Sequence, residues 1–326
     1  MRVATARVAH AGCASSLALL GMHIMRDQLD PLPASRQREL EHVVRILFEE
    51  FEAATRTGNQ PFTKQARILK LVLYGSFARG DWVDDPIGGY HSDYDILVVV
   101  NDERLTDFDY WSAAEDRLMR DVLITGRLSA PVGLIVHSLT DVNQQLERGR
   151  PFFVDAVAQG IALYEAEGFP FAQPSKLPPD EALIEARHHF DKWFPSATRF
   201  QKLAVVAQDD DGTNEAAFLM HQATERFYHC VLLTLTLYSP KSHRLNFLRS
   251  RAEEAAPELI AAWPRADKFS RRCFELLREA YVNARYSEHY VITKEELDWL
   301  AERIGVLQAL VEKVCRRRLD GLPPPP

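Results

Sequence analysis

Apolar residues at Leu40, Val43, Val44, Leu47, Phe48 and Phe51 repeat with a helical period, which predicts a helix over Arg36 to Thr55 with Ser35 as its N-cap. Ile68 to Tyr74 is a continuous apolar run that stops at Gly75-Ser76 and reads as a buried strand entering a turn. Pro86, Gly88 and Gly89 mark Trp82 to His91 as loop, and Tyr94 to Val100 is a second apolar strand. An amphipathic helix over Tyr110 to Leu123, a strand over Pro131 to Val136, a short helix over Asp141 to Arg148 and a last strand over Ile161 to Tyr164 complete this half. Strands alternating with helices predict a small α/β unit.

After Glu167 to Pro179, a Pro-rich stretch with Gly168 and Ser175, the pattern changes. Glu181 to Gln208, Glu215 to Leu237, Lys268 to Ala284 and Lys294 to Leu319 are all helical in period, with a shorter helix over Arg244 to Ala255. No strand-like alternation interrupts them, so the second half reads as an all-α bundle. The expected organisation is a variable leader over 1–34, an α/β domain over 35–165, a linker over 166–180, a helical bundle over 181–319 and a disordered tail over 320–326.

A chain of 326 residues accommodates two such domains. The net charge of −7 gives no support to broad duplex binding through phosphate neutralisation, although a local basic site remains compatible with it. Four cysteines, Cys13, Cys230, Cys273 and Cys315, form no CxxC pair and read as reduced thiols of a cytoplasmic protein. No apolar run is long enough to span a membrane.

Candidate chemistry begins at Tyr74-Gly75-Ser76-Phe77-Ala78-Arg79-Gly80, followed by Ser92-Asp93-Tyr94-Asp95. Gly75 lets backbone approach a ligand, Ser76 offers a hydroxyl and an amide, and free amides at a helix start favour phosphate. Arg79 adds charge nearby. Asp93 and Asp95 stand two apart at the head of a strand, on one face and roughly 6.6 Å apart by strand rise. Paired carboxylates in that setting suit a hard divalent cation shared with substrate phosphates.

In this order and spacing the residues resemble the polymerase-beta-related nucleotidyltransferase superfamily, in particular its minimal and kanamycin-type members, over about residues 36–165. The resemblance implies transfer of a nucleoside monophosphate, most simply AMP from ATP, to a hydroxyl acceptor that the sequence does not name. It implies Mg²⁺ (or Mn²⁺) held by Asp93 and Asp95, with Gly75, Ser76 and Arg79 on the triphosphate. The family usually adds a third acidic residue on a following strand. The matching stretch, Val132 to His137, has none, which leaves His137 as a candidate base, Asp141 just beyond it, and a nucleotide-binding module without turnover as an open alternative.

In the helical half, His221 and Glu225 share a helix face, and Tyr281-Val282-Asn283-Ala284-Arg285-Tyr286 closes a later helix. With Phe218 and Phe227, this resembles a HEPN domain over about 180–318. The resemblance implies RNA as a partner, a homodimer, and, as the alternative activity, a ribonuclease in which Arg285 holds phosphate and His289 moves a proton. Here Tyr286 replaces the polar residue that usually follows the arginine. In paired toxin–antitoxin-like systems the nucleotidyltransferase silences its HEPN partner by modifying a tyrosine, and Tyr286 and Tyr290 flank the motif. His221, Glu225, Tyr281 and Arg285 interrupt otherwise apolar faces and are candidates for contact with an acceptor.

Overall fold

A computed structural model describes residues 26, 29, 32–56, 58–82, 84–85 and 90–321. Cys13, most of the expected leader and the tail beyond residue 321 lie outside them. The chain divides into two compact units. The first takes residues up to Gly80, Tyr94–Gly149 and Phe153–Lys176. The second takes Asp81–Asp93, Arg150–Phe152 and everything from Leu177.

Helices α1 (Ala34–Arg56) and α2 (Pro61–Lys64) lead into β1 (Ile68–Tyr74) and the one-turn α3 (Gly75–Arg79). A two-residue hairpin, β2 (Asp84–Asp85) with β3 (Tyr90–His91), forms within the stretch that reads as loop. Then come β4 (Tyr94–Val100), α4 (Ser112–Leu123), β5 (Val132–Ser138), α5 (Leu139–Glu147), α6 (Pro151–Gln159) and β6 (Ile161–Glu165). Four strands form one mixed sheet in the order β5-β4-β1-β6, with β4 parallel to β5 and β1 antiparallel to β4 and β6.

Every residue of the central strands β1 and β4 is buried, as expected where both sheet faces are covered. Two charged residues sit inside those runs. Lys70 lies opposite Glu165 in the β1–β6 register and its ammonium pairs with that carboxylate. Its Nζ also stands 4.7 Å from the centre of the Phe171 ring. Asp95 is the other, and belongs to the site below.

The stretch expected to be an exposed linker is largely a strap on the first unit. Ala166 and Phe171 are buried, the Ala172 amide donates to Asn143 Oδ1 at 2.8 Å, and the Ser175 amide donates to the Leu146 carbonyl at 2.9 Å. Those anchors satisfy backbone that free linker would leave to water.

The second unit is helical: α7 (Pro179–Asp209), α8 (Thr213–Thr236), α9 (Leu245–Ala255), α10 (Lys268–Glu279), α11 (Asn283–Tyr286) and α12 (Lys294–Leu319). Thr293 caps α12 and Glu296 returns the bond to the Thr293 amide, a complete capping box. Helix α8 is buried almost all round and forms the axis of the core, with Phe227, Tyr228 and Val231 fully covered. Cys230, Cys273 and Cys315 are buried free thiols. Among the described residues no helix is long and apolar enough to cross a membrane.

Several features differ from the sequence reading. Ser35, expected as the N-cap, lies inside α1, which starts at Ala34. Helix α6 is absent from it, because Phe152-Phe153-Val154 masks a short period. The helix expected over Lys268 to Ala284 ends at Glu279, and a turn reorients the chain before α11. Asp93 precedes the strand it was expected to open.

The strap generates a test. A non-specific protease should cut the wild-type protein around Lys176 to Pro178 before it cuts within 166–175. Phe171→Ala, which removes a buried ring at a cost of about 3 kcal/mol, should open the whole segment. Early cleavage inside 166–175 of the wild type would show that the strap is not held.

Candidate functional site

In the first unit, β1 delivers the chain to Gly75, whose φ of +73° is left-handed and favours glycine. Space demands glycine as well, since a Cβ there would stand 2.4 Å from Asp95 Oδ2. Asp95 pairs with Tyr74 on β1 and Gly133 on β5, and is fully buried. The fold therefore presses the Asp95 carboxylate against the backbone of the Gly75-Ser76 turn. Ser76 is partly exposed and Arg79 exposed. Burial pushes the Asp155 carboxyl above its ordinary range, and the Arg79 charge partly offsets that. With five residues, α3 is too short to sum a substantial macrodipole.

Asp93 falls in the other unit. There burial raises its pKa, opposed by the charge of Arg251 and a hydrogen bond with Ser250. As a test of fit for the implied divalent ion, Asp95 supplies a single, fully buried carboxylate beside the half-buried Gly75-Ser76 turn. Among the described residues no group of three or more acidic, histidine or cysteine side chains is arranged to hold a metal. The fit is incomplete, and no step is derived through an ion.

The structure does not bring His137 to Asp95. The β4–β5 register sets Asp95 beside Gly133 and His137 beside Val99, so His137 lies roughly 13 Å farther along the strand. His137 Nδ1 instead meets Asp141 Oδ2 at 2.6 Å. The two weak candidates for the missing third group pair with each other.

In the second unit a polar array crosses the apolar bundle. His221, Glu225 and His229 follow one another at steps of four on α8, and all three are buried. His221 Nε2 is 3.6 Å from Glu225 Oε2, while its Nδ1 meets the Leu277 carbonyl at 3.0 Å. His229 Nε2 is 3.9 Å from Glu225 Oε1, and its Nδ1 meets Ser239 Oγ at 2.6 Å. Gln222 Nε2 donates to Glu225 Oε2 at 3.2 Å. From the loop before α9, His243 Nδ1 reaches both oxygens of Glu225, at 3.1 and 3.2 Å.

Burial pushes the Glu225 carboxyl up, but the hydrogen bond with His221 and the neighbouring His243 imidazole outweigh it and hold it below its ordinary value. Burial drives His229 the other way, down to about 4, so this imidazole is neutral near pH 7. Only His243 is open to solvent, with 61% of its side chain exposed.

Tyr281 links this array to Arg285. Its ring stacks on His243 with centroids 4.8 Å apart and planes 11° from parallel, and lies 5.3 Å from His221. The Arg285 guanidinium lies 4.7 Å from the Tyr281 ring, 4.9 Å from Phe218 and 4.9 Å from Tyr286. Its Nε donates to the Tyr281 carbonyl at 2.6 Å. His289 is exposed on the following turn. Tyr286 is 76% exposed, whereas Tyr290 is buried and its hydroxyl donates to the Leu276 carbonyl at 2.9 Å.

A family model for the HEPN domain matches residues 190–314. The helical unit contains a HEPN domain. A search of curated proteins found none that matches the chain. The whole array from Phe218 to His289 lies inside the HEPN match. His221, Glu225 and Arg285 stand out in the sequence, whereas His229 and His243 do not. His229 continues the four-residue spacing of the first two and was open to discovery by it. His243 arrives through a loop, and only the fold brings it to Glu225.

Two predictions test these assignments. Gly75→Ala should displace the Asp95 carboxylate and destabilise the first unit by about 2 kcal/mol or more, read by thermal melting. Unchanged stability would show that the close approach is not held. The HEPN domain should also be acid-sensitive. Between 6.5 and about 4, unfolded chain takes up a proton at His229 that folded chain does not, so stability falls as pH falls, by about 3 kcal/mol at most. Glu225, whose carboxyl is held below its ordinary 4.5, extends the loss of stability below that pH. His229→Gln should flatten the slope of stability against pH, whatever its effect at pH 8.

Proposed function

We propose that the HEPN domain acts on RNA, with Arg285 holding a backbone phosphate and a nearby histidine moving a proton to cleave the chain. HEPN domains are usually nuclease-type enzymes that commonly bind RNA and dimerise, which supports this reading. The observation that carries it is Arg285 itself: an exposed guanidinium fixed by three aromatic rings and a carbonyl at its Nε. Such a group meets phosphate without first losing side-chain freedom. Exposed Tyr286 beside it offers a face for an unstacked base. His289 is the proton-carrying candidate in the arginine's own segment. With a net charge of −7 on the chain, binding should be local and its salt dependence shallow.

Arg285→Ala should weaken binding of a single-stranded RNA about tenfold, and cleavage at sub-saturating RNA in proportion. Wild-type protein that neither binds nor cuts such an RNA would overturn the reading.

A second reading is favoured by the Gly75 turn packed on Asp95: nucleotidyl transfer, most simply of AMP from ATP, to a hydroxyl acceptor. Tyr286 is an accessible acceptor and Tyr290 is not. In this reading Asp93 and Asp95 would have to supply the charge that Mg²⁺ needs, against the incomplete fit noted above, and Ser76 and Arg79 would meet the triphosphate. Calorimetry with ATP, with and without Mg²⁺, should show metal-dependent binding that is lost in the Asp93→Asn, Asp95→Asn double variant. Labelled ATP should mark the wild-type protein and spare Tyr286→Phe. Equal affinity in wild type and double variant would remove these carboxylates from the site.

A further inference from the structure

Of the histidines gathered on Glu225, two are closed to any ligand. His221 is 1% exposed and His229 is 8% exposed, and each has its Nδ1 committed to the protein. His243 is arranged differently. Its Nδ1 faces the carboxylate and most of its side chain faces solvent. A carboxylate accepts hydrogen bonds and cannot donate one, so Glu225 selects the tautomer with its proton on Nδ1. The lone pair then sits on Nε2, at the opposite corner of the ring. Tyr281 stacked on one face limits rotation of that ring, and the same Tyr281 ring carries the Arg285 guanidinium. An oriented proton acceptor and an oriented hydrogen-bond donor for phosphate thus share one aromatic support. By contrast, the bond His289 makes in its turn comes from its backbone amide to Ser287 Oγ, which does not orient the imidazole.

We propose that His243, oriented by Glu225 and Tyr281, is the catalytic base of the HEPN domain and acts on the ribose 2′-hydroxyl next to a phosphate held by Arg285. The proposal rests on the RNA-directed reading of this domain. In the step, the 2′ oxygen forms a bond to phosphorus and its proton passes to His243 Nε2. The bond from phosphorus to the 5′ oxygen breaks, the departing oxygen takes a proton from water, and the hydroxide left behind recovers the proton from His243. The products are a 2′,3′-cyclic phosphate and a 5′-hydroxyl, with no oxidant or second substrate consumed. Glu225 is a positioning residue: it touches the imidazole and not the RNA.

The test uses the full chain, a single-stranded RNA of mixed sequence and a 2′-O-methyl version of it that lacks the attacking hydroxyl. His243→Gly should cut the RNA about a hundredfold more slowly or worse, while binding the 2′-O-methyl RNA within about twofold of wild type. Because His243 is exposed, added imidazole should restore a large part of the lost rate to His243→Gly. Glu225→Gln should lower kcat with little change in KM, and circular dichroism should show whether it folds. If Glu225→Gln does not fold, His243→Gly and its rescue decide alone. A wild type that cuts, with His243→Gly cutting equally well, overturns the assignment of His243 and leaves the RNA reading intact. Lost activity that imidazole does not restore also overturns it, since a merely structural histidine behaves that way. Wild-type protein that neither binds nor cuts RNA overturns both.

Discussion

A carboxylate cannot be taken into an apolar helix bundle unless donors come with it, and the HEPN domain is organised around that demand at Glu225. The residue lies mid-helix on α8, which is covered on nearly every side. Its oxygens face imidazoles one turn above, one turn below and one loop away, and the amide of Gln222. Two of those imidazoles pass the demand outward, to the Leu277 carbonyl and the Ser239 hydroxyl. The third carries it to the surface. The path from Glu225 through His243 and Tyr281 to Arg285 is therefore continuous from the core to solvent.

The α/β unit solves a related problem by other means. Asp95 is enclosed within the sheet, and it is glycine at position 75, with positive φ and no Cβ, that leaves room for its oxygen. Lys70, the other charge in a central strand, is matched by a cross-strand carboxylate and an aromatic face from the strap. A charged residue in an all-buried strand is costly, and each of these two has a specific packing arrangement around it.

Much of the architecture was legible in the sequence because period and burial agree. The apolar runs Ile68 to Tyr74 and Tyr94 to Val100 became fully buried strands with nearly the expected limits. The long helices of the second half appeared where helical spacing placed them, and a HEPN resemblance read from Phe218, His221, Glu225 and Arg285 agrees with the family match. What escaped depends on tertiary structure. The segment from Ala166 to Lys176 looks like free linker by composition, and the amide hydrogen bonds of Ala166, Ala172 and Ser175 with a buried ring make it a strap. His137 seemed a candidate base because it ends the right strand, but register sets it opposite Val99, far from Asp95. Asp93 and Asp95, two residues apart in sequence, fall in different units. His243 could not have been singled out, since no local pattern records that a loop will fold back on Glu225.

Tyr281 differs from the groups it supports because it is shared. One ring is the stacking partner of an imidazole and also the seat of a guanidinium. Any change that tilts it moves both, so the energetic effects of altering His243 and Arg285 belong to a single coupled unit and will not simply add. Phenylalanine at this position keeps the aromatic platform, while an aliphatic residue removes it from both partners at once. The tolerance of the site to mutation is thus set at a residue with no ionisable role of its own in the chemistry.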